Sequence, residues 1–283
     1  MTKRILILSV FVVASCGLAY ELIAGALSSY LLGDSILQFS TIIGCYLFAM
    51  GVGAHFSKYV RDEHVLARFI DIELAVGLIG GVSAALLFMT FSWMTAPFRT
   101  LLYVLVFMVG ALVGMEVPLV MRALNARQTE FNELVSRVLT FDYLGALAVS
   151  LLFPLVLAPY LGLVRTGFLF GMLNVAVAFW TLHTFRNELA KVGGRVLRAS
   201  TVMVLLVFGF ALSDRMVQWG EHGLFGDEIV YSTTTPYQRL VITRWKDDLR
   251  LYINGNLQFS SRDEYRYHEA LVHPALQALP WAR

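Results

Sequence analysis

The chain has 283 residues, 58% hydrophobic and only 15% charged, with a formal net charge of +2. Soluble domains average nearer half apolar and a quarter charged, so a wholly soluble globule is excluded. The small net charge, with no basic stripe carrying interleaved aromatics, excludes a nucleic-acid binder.

The average hides two regions. Residues 1–213 run as long apolar stretches, whereas residues 214–283 hold 17 of the 42 acidic and basic side chains. The composition therefore predicts an α-helical multi-pass membrane bundle over 1–213, followed by a small antiparallel β-hairpin domain with one helix over 214–283. A bilayer core needs about 20 apolar residues per helix. Seven segments meet or approach that length, at 5–31, 36–57, 69–92, 99–121, 138–160, 163–184 and 199–218. The last is the weakest, its apolar centre covering only 201–212. The first begins like a signal peptide but lacks a clear cleavage site, so it reads as a retained span. Glycines recur within the spans, among them Gly44, Gly51, Gly53, Gly77, Gly80, Gly81, Gly110 and Gly114. Small residues let helix backbones approach in lipid, which predicts a compact bundle. Cys16 and Cys45 lie inside apolar stretches and read as free buried thiols.

Positive charge sets the expected orientation. Lys3 and Arg4, then Lys58, Arg61 and Arg68, then Arg122, Arg127 and Arg137, then Arg186, Lys191, Arg195 and Arg198 all fall on one side; Arg99 and Arg165 fall on the other. The N-terminus is thus expected in the cytoplasm of a bacterial inner membrane. Seven full spans would put the tail outside. A re-entrant or interfacial segment 199–218 would keep it inside.

Carboxylates within spans are costly and face a partner or a cavity. Glu73 follows Arg68 by five residues, Glu116 precedes Arg122 by six, and Asp142 follows Arg137 by five. Each is expected roughly 8–9 Å in from the cytoplasmic edge, in one layer. Two readings stay open. Each acid is neutralised by a neighbouring Arg, Tyr or backbone group and fixes packing, or the three form an intramembrane cation site. Glu21 is expected nearer the opposite face.

From Glu228 the sequence becomes rich in Val, Ile, Thr and Tyr. Alternating runs at 237–245 and 249–253 and the Asn254-Gly255 break predict three or four short antiparallel strands over 228–260. A helix follows, with Ser261 and Glu264 spaced as a capping box, disturbed by Pro274 and ended by Pro280. His268 and His273 are five apart, about 140° around a helix, so the i, i+4 spacing of a helical zinc site is absent and no metal is expected.

The tail carries an ordered set of motifs: Tyr237-Gln238, then Asn254-Gly255 with Gln258, then Asp263-Glu264 through Tyr267-His268-Glu269, then His273-Pro274. Over about 45 residues this resembles the N-terminal β-domain of spermidine synthases, the polyamine aminopropyltransferases. Asn254 stands where that family usually has Asp. The segments "YELIAGALSSYLLG", "QFSTIIGCYLFAMGVG" and "GMEVPLVMRAL" resemble the multi-pass bundle fused ahead of such domains in a bacterial subgroup.

The resemblance implies transfer of an aminopropyl group from decarboxylated S-adenosylmethionine, as co-substrate, to putrescine, with no further cofactor. It implies that Gln238 reaches the nucleoside, and that Tyr267, His268 and Gln258 line the amine channel. Cytoplasmic substrates favour a cytoplasmic tail. The partners implied are the lipid bilayer, polyamine and nucleoside substrates and, as in soluble relatives, further copies of the chain. The family next has a strand running into a Gly-Gly-Gly-Asp loop and a Rossmann-like catalytic domain. Residues up to Arg283 contain no such loop, so the chain is expected to be an inactive front portion with no catalytic residue of its own. A membrane protein that binds or transports polyamines through Glu73, Glu116 and Asp142 is the alternative.

Overall fold

The computed structural model describes residues 2–125, 131–235 and 238–278. It consists of a helical bundle and a small sheet. The bundle is built from α1 (Thr2–Leu32), α2 (Ser35–Phe56), α3 (Val65–Trp93), α4 (Thr95–Asn125), α5 (Phe131–Leu152), α6 (Leu163–Thr184) and α7 (Val192–Phe225). All seven are long and apolar enough to cross a membrane. Between α5 and α6 the chain runs as a π-helix, Phe153–Leu161. Pro154 and Pro159 offer no backbone N–H to an α-helical ladder, and the segment closes on a Gly162 N–H to Leu157 C=O bond, five residues back.

The interior is made by α1, α3, α4 and α6, with Phe69, Phe98, Phe168 and Leu102 fully enclosed. The outer faces of α2, α5 and α7 turn Phe48, Leu147, Leu151, Leu205 and Phe208 to the surroundings. These side chains form an apolar girdle on the outside of the bundle. Glycine sets the closeness of the packing. A Cβ on Gly53 of α2 would lie 1.8 Å from the Ala111 carbonyl oxygen of α4, and one on Gly114 would lie 2.1 Å from the Met50 oxygen.

The bundle has two distinct ends. At one, Arg122 of α4 donates to the Ser57 carbonyl (2.9 Å) and the Val60 carbonyl (2.6 Å) and pairs with Asp62, while Arg198 of α7 meets Asp71 of α3 at 3.5 Å. Here the predicted basic segments gather. At the other end Arg165 of α6 donates to Ser213 of α7 at 3.0 Å and pairs with Asp214. The sheet stands at this second end.

That placement corrects one expectation. Segment 199–218 does not turn back on itself. It lies within the single 34-residue helix α7, which delivers the tail to the end opposite the basic loops. The charged residues that begin at Asp214 are the last turns of α7, so the architectural boundary is Gly226, whose φ of 66° ends the helix, and not residue 213.

The sheet has the order β1-β2-β3-β4, all antiparallel: β1 (Glu228–Thr234), β2 (Arg239–Trp245), β3 (Asp248–Ile253) and β4 (Asn256–Ser260). Both tight hairpins use left-handed residues, Lys246 (φ 58°) in the first and Asn254 (φ 50°) with Gly255 (φ 78°) in the second. Asn-Gly is the pair that such a turn requires. Helix α8 (Glu264–Ala278) follows and runs through Pro274 without a break, which corrects the expected disturbance. Pro280 lies outside the described residues.

Gly114→Ala should destabilise the bundle by about 1–3 kcal/mol, because Met50 backbone must retreat to admit one methyl. Gly44→Ala, with open space around it, should be neutral or stabilising by up to about 1 kcal/mol. Thermal unfolding of the two variants in one detergent checks the contrast.

Candidate functional site

The tail is held in shape by Asp248. Its carboxylate accepts from Arg250 Nε (2.8 Å), Ser260 Oγ (2.9 Å), Ser261 Oγ (3.0 Å) and the Arg262 backbone N–H (3.2 Å). Burial pushes this carboxyl up, but the four hydrogen bonds outweigh it and hold it at about 2. Arg250 reaches on to Asp227 at 3.0 Å and lies over the Trp245 ring. The network ties the β2–β3 hairpin to the strand-to-helix corner at 260–262, and so fixes where α8 leaves the sheet. Ser261 is spent here: its hydroxyl binds Asp248 and accepts from the Leu249 N–H at 2.9 Å. It is not the N-cap of a capping box, and α8 begins three residues later.

The corner brings two of the expected substrate residues together. Gln258 of β4 and His268 of α8 line one cavity of about 170 Å³, with Leu257, Phe259, Ser260, Asp263 and Glu264. The His268 ring stacks at 6.0 Å from Phe259, tilted by 34°. Two carboxylates, an amide and an imidazole around one groove suit a cationic amine. Tyr267 is the neighbouring residue on α8; its side chain, like Tyr237, lies outside the described residues.

Gln238 stands apart from that groove. It precedes β2, its N–H donates to Thr235 Oγ1 at 3.0 Å, and its carbonyl accepts from the Thr235 N–H at 2.9 Å. The next residue, Arg239, donates its N–H to Asn254 Oδ1 at 2.9 Å. Asn254 therefore supplies both a left-handed turn and an acceptor for the first residue of β2.

Arg239 and Glu221 are residues the sequence reading missed. Arg239 Nε donates to the nearly fully buried Glu221 carboxylate at 2.7 Å, which joins β2 to α7. Beside this pair a cavity of about 190 Å³ opens between bundle and sheet, lined among others by Tyr30, Leu161, Arg165, Asp214 and Val217. Asp214, Val217 and Glu221 recur at i, i+3 and i+7, one face of a helix, and that spacing was the available signal.

In the bundle the structure brings Glu73 and Glu116 into one fully buried layer, with half-buried Asp142 acting electrostatically on Glu116. The arginines expected to neutralise them point elsewhere. Arg68 meets Asp71 at 3.9 Å, Arg122 meets Asp62, and Arg137 meets Glu133. Glu21 is partly buried on α1 and acts electrostatically on Tyr46.

No protein-family model matches the chain, and no solved structure matches it. Among curated proteins it is 69% identical, over 99% of its length, to polyamine aminopropyltransferase 2 of Ralstonia nicotianae, of which it covers 56%. It is 52% identical over 97% of its length to the polyamine aminopropyltransferase of Leptospira interrogans, covering 55% of that protein. It is 40% identical over 97% of its length to polyamine aminopropyltransferase 1 of Streptomyces coelicolor, covering 53%. The chain is thus homologous to polyamine aminopropyltransferases along nearly all of its own sequence, and spans about half the length of these relatives.

The Asp248 carboxyl sits below the 3.8 of an unperturbed aspartate, so its contribution to stability is complete above that value and is lost as pH falls through about 2. Trp245 fluorescence should hold steady down to about pH 4 and change between 4 and 2. Asp248→Asn should show the loosened signal already at neutral pH.

Proposed function

We propose that this chain belongs to a membrane-anchored polyamine aminopropyltransferase, with its β-domain covering the substrates. Support comes from the homology over 97–99% of the chain with the relatives named above. The single structural observation that carries the reading is the convergence of Gln258 and His268 on one acid-rimmed groove between β4 and α8. In this reading the amine lies in that groove and Gln238 meets the nucleoside of decarboxylated S-adenosylmethionine.

In the transfer, the amine nitrogen attacks the carbon beside the sulfonium. The C–N bond forms, the C–S bond breaks, the sulfide leaves with the electron pair, and the amine loses a proton. The attacking nitrogen must be neutral, so a nearby carboxylate has to take or direct that proton. None of Gln238, Gln258, Tyr267 and His268 is assigned that role; they bind and orient.

The seven apolar helices are proposed to cross a bacterial inner membrane with the basic loops in the cytoplasm. The sheet stands at the opposite end of the bundle, and α7 crosses completely in this reading. The tail then faces away from the cytoplasm, and the donor and amine must be met on that side. An alkaline phosphatase reporter fused after residue 283 should be active and a green-fluorescent reporter dark. The reverse pattern sinks this orientation.

The full-length protein should transfer an aminopropyl group from decarboxylated S-adenosylmethionine to putrescine. Gln238→Ala and His268→Ala should each lower kcat/KM by about tenfold, the worth of one hydrogen bond of about 1.4 kcal/mol. Failure to aminopropylate any diamine, with donor supplied, refutes the enzyme reading.

A further inference from the structure

The bundle contains a polar layer that aminopropyl transfer does not use. Glu73 of α3 is fully buried and Glu116 of α4 is 1% exposed, and all four of their carboxyl oxygens lack a hydrogen-bond partner among the described residues. Fully buried Asn174 of α6 is unpartnered at both amide atoms, and the Tyr20 hydroxyl of α1, 3% exposed, is unpartnered too. These groups share one region. A Cβ on Gly77, one turn beyond Glu73 on the same face of α3, would lie 3.2 Å from Asn174 Cβ, and one on Gly80 would meet the Tyr20 ring at 2.7 Å. Orphaned polar atoms in such number are rare in buried cores, so each needs an account.

The charged and titratable surroundings are one-sided. Around the layer stand Cys16, Tyr20 and, through Tyr46, Glu21 from α1, Tyr46 itself from α2, Glu116 from α4 and Asp142 from α5. Helix α6 brings Asn174 and Thr181, which do not titrate. The nearby arginine of α7, Arg198, is turned to Asp71. Two carboxylates are disfavoured as a doubly ionised pair in a buried layer where no cationic side chain faces them.

Three occupants could neutralise them. A metal ion would need a gathering of ligands, and among the described residues no three His, Cys, Asp or Glu side chains assemble one. An organic amine would need room several times that of a water, and neither Glu73 nor Glu116 lines the cavity beside Glu221, the β4–α8 groove or the small void between Tyr20 and Tyr46. A proton needs no space.

We propose that Glu73 and Glu116 form a proton-loading site inside the bundle, filled and emptied through Asp142. Asp142 is half-buried, so of the three acids it alone is not enclosed, and it acts electrostatically on Glu116. The sequence Asp142, Glu116, Glu73 leads inward to Asn174 and Tyr20. At neutral pH at least one of the two buried carboxyls is a carboxylic acid. This activity is independent of aminopropyl transfer and of the substrate groove on the tail. It also narrows the amine-transport reading of these same acids: what they bind is a proton.

The test is infrared spectroscopy of the full-length protein in lipid vesicles at neutral pH. The wild type should show the carbonyl band of a protonated carboxylic acid, and E73Q/E116Q should lose it. The band should move in deuterated water, and in D142N that exchange should slow by tenfold or more. Should E73Q/E116Q fail to fold, the wild-type band and its exchange still decide, and E116D, which keeps a carboxyl, should displace the band without abolishing it. Ionised carboxylates alone in the wild type overturn the proposal. So does a band that never exchanges, which would mark the acids as packing elements. Loss of the band on adding spermidine or sodium chloride at constant pH also overturns it, because the site would then belong to a cation.

Discussion

The backbone approach of α3 to α6 is the constraint on which the bundle rests. Gly77 and Gly81 face Gly167 and Gly171, and a Cβ on Gly171 would lie 2.5 Å from the Gly77 carbonyl oxygen. Small residues let the two backbones approach to close van der Waals contact. Other elements build on that seam. The Cys16 thiol of α1 lies 3.6 Å from the Phe170 carbonyl of α6, and the Leu206 side chain of α7 rests on both Gly81 and Gly171.

The same closeness gives the buried acids their character. Glu73 sits one turn before Gly77, where the α3 backbone packs directly on α6. The arginines that neighbour the acids in sequence instead reach the bundle end, where carbonyls and exposed carboxylates are available at lower desolvation cost. Proximity along a helix therefore says little about which charge meets which. The direction of each long side chain decides it.

At the other end a different kind of joint operates. The Glu221–Arg239 pair is sheltered, and it couples the last turns of α7 to the first residue of β2. Gln238 is the residue just before it, so the position of a proposed nucleoside contact depends on the bundle. The Asp248 network plays the matching part for α8, setting His268 against β4. The proposed substrate residues thus hang on two separate anchors, and Gln238 is not gathered into the groove that Gln258 and His268 share.

Much of this was legible in the sequence. Run length and hydropathy predicted seven apolar helices, and alternation with Asn254-Gly255 predicted three or four strands, because both are local consequences of backbone hydrogen bonding and side-chain period. Motif order pointed to the tail's family resemblance. What the sequence could not decide was every property that depends on which surfaces meet. The extent of α7 beyond its apolar centre, the use of Ser261 by Asp248, the Glu221–Arg239 joint and the isolation of Glu73 and Glu116 from arginine are all of this kind. Local propensity is additive along the chain and can be read residue by residue. Charge pairing and burial are set by distances across it, and only the packed tertiary structure supplies those.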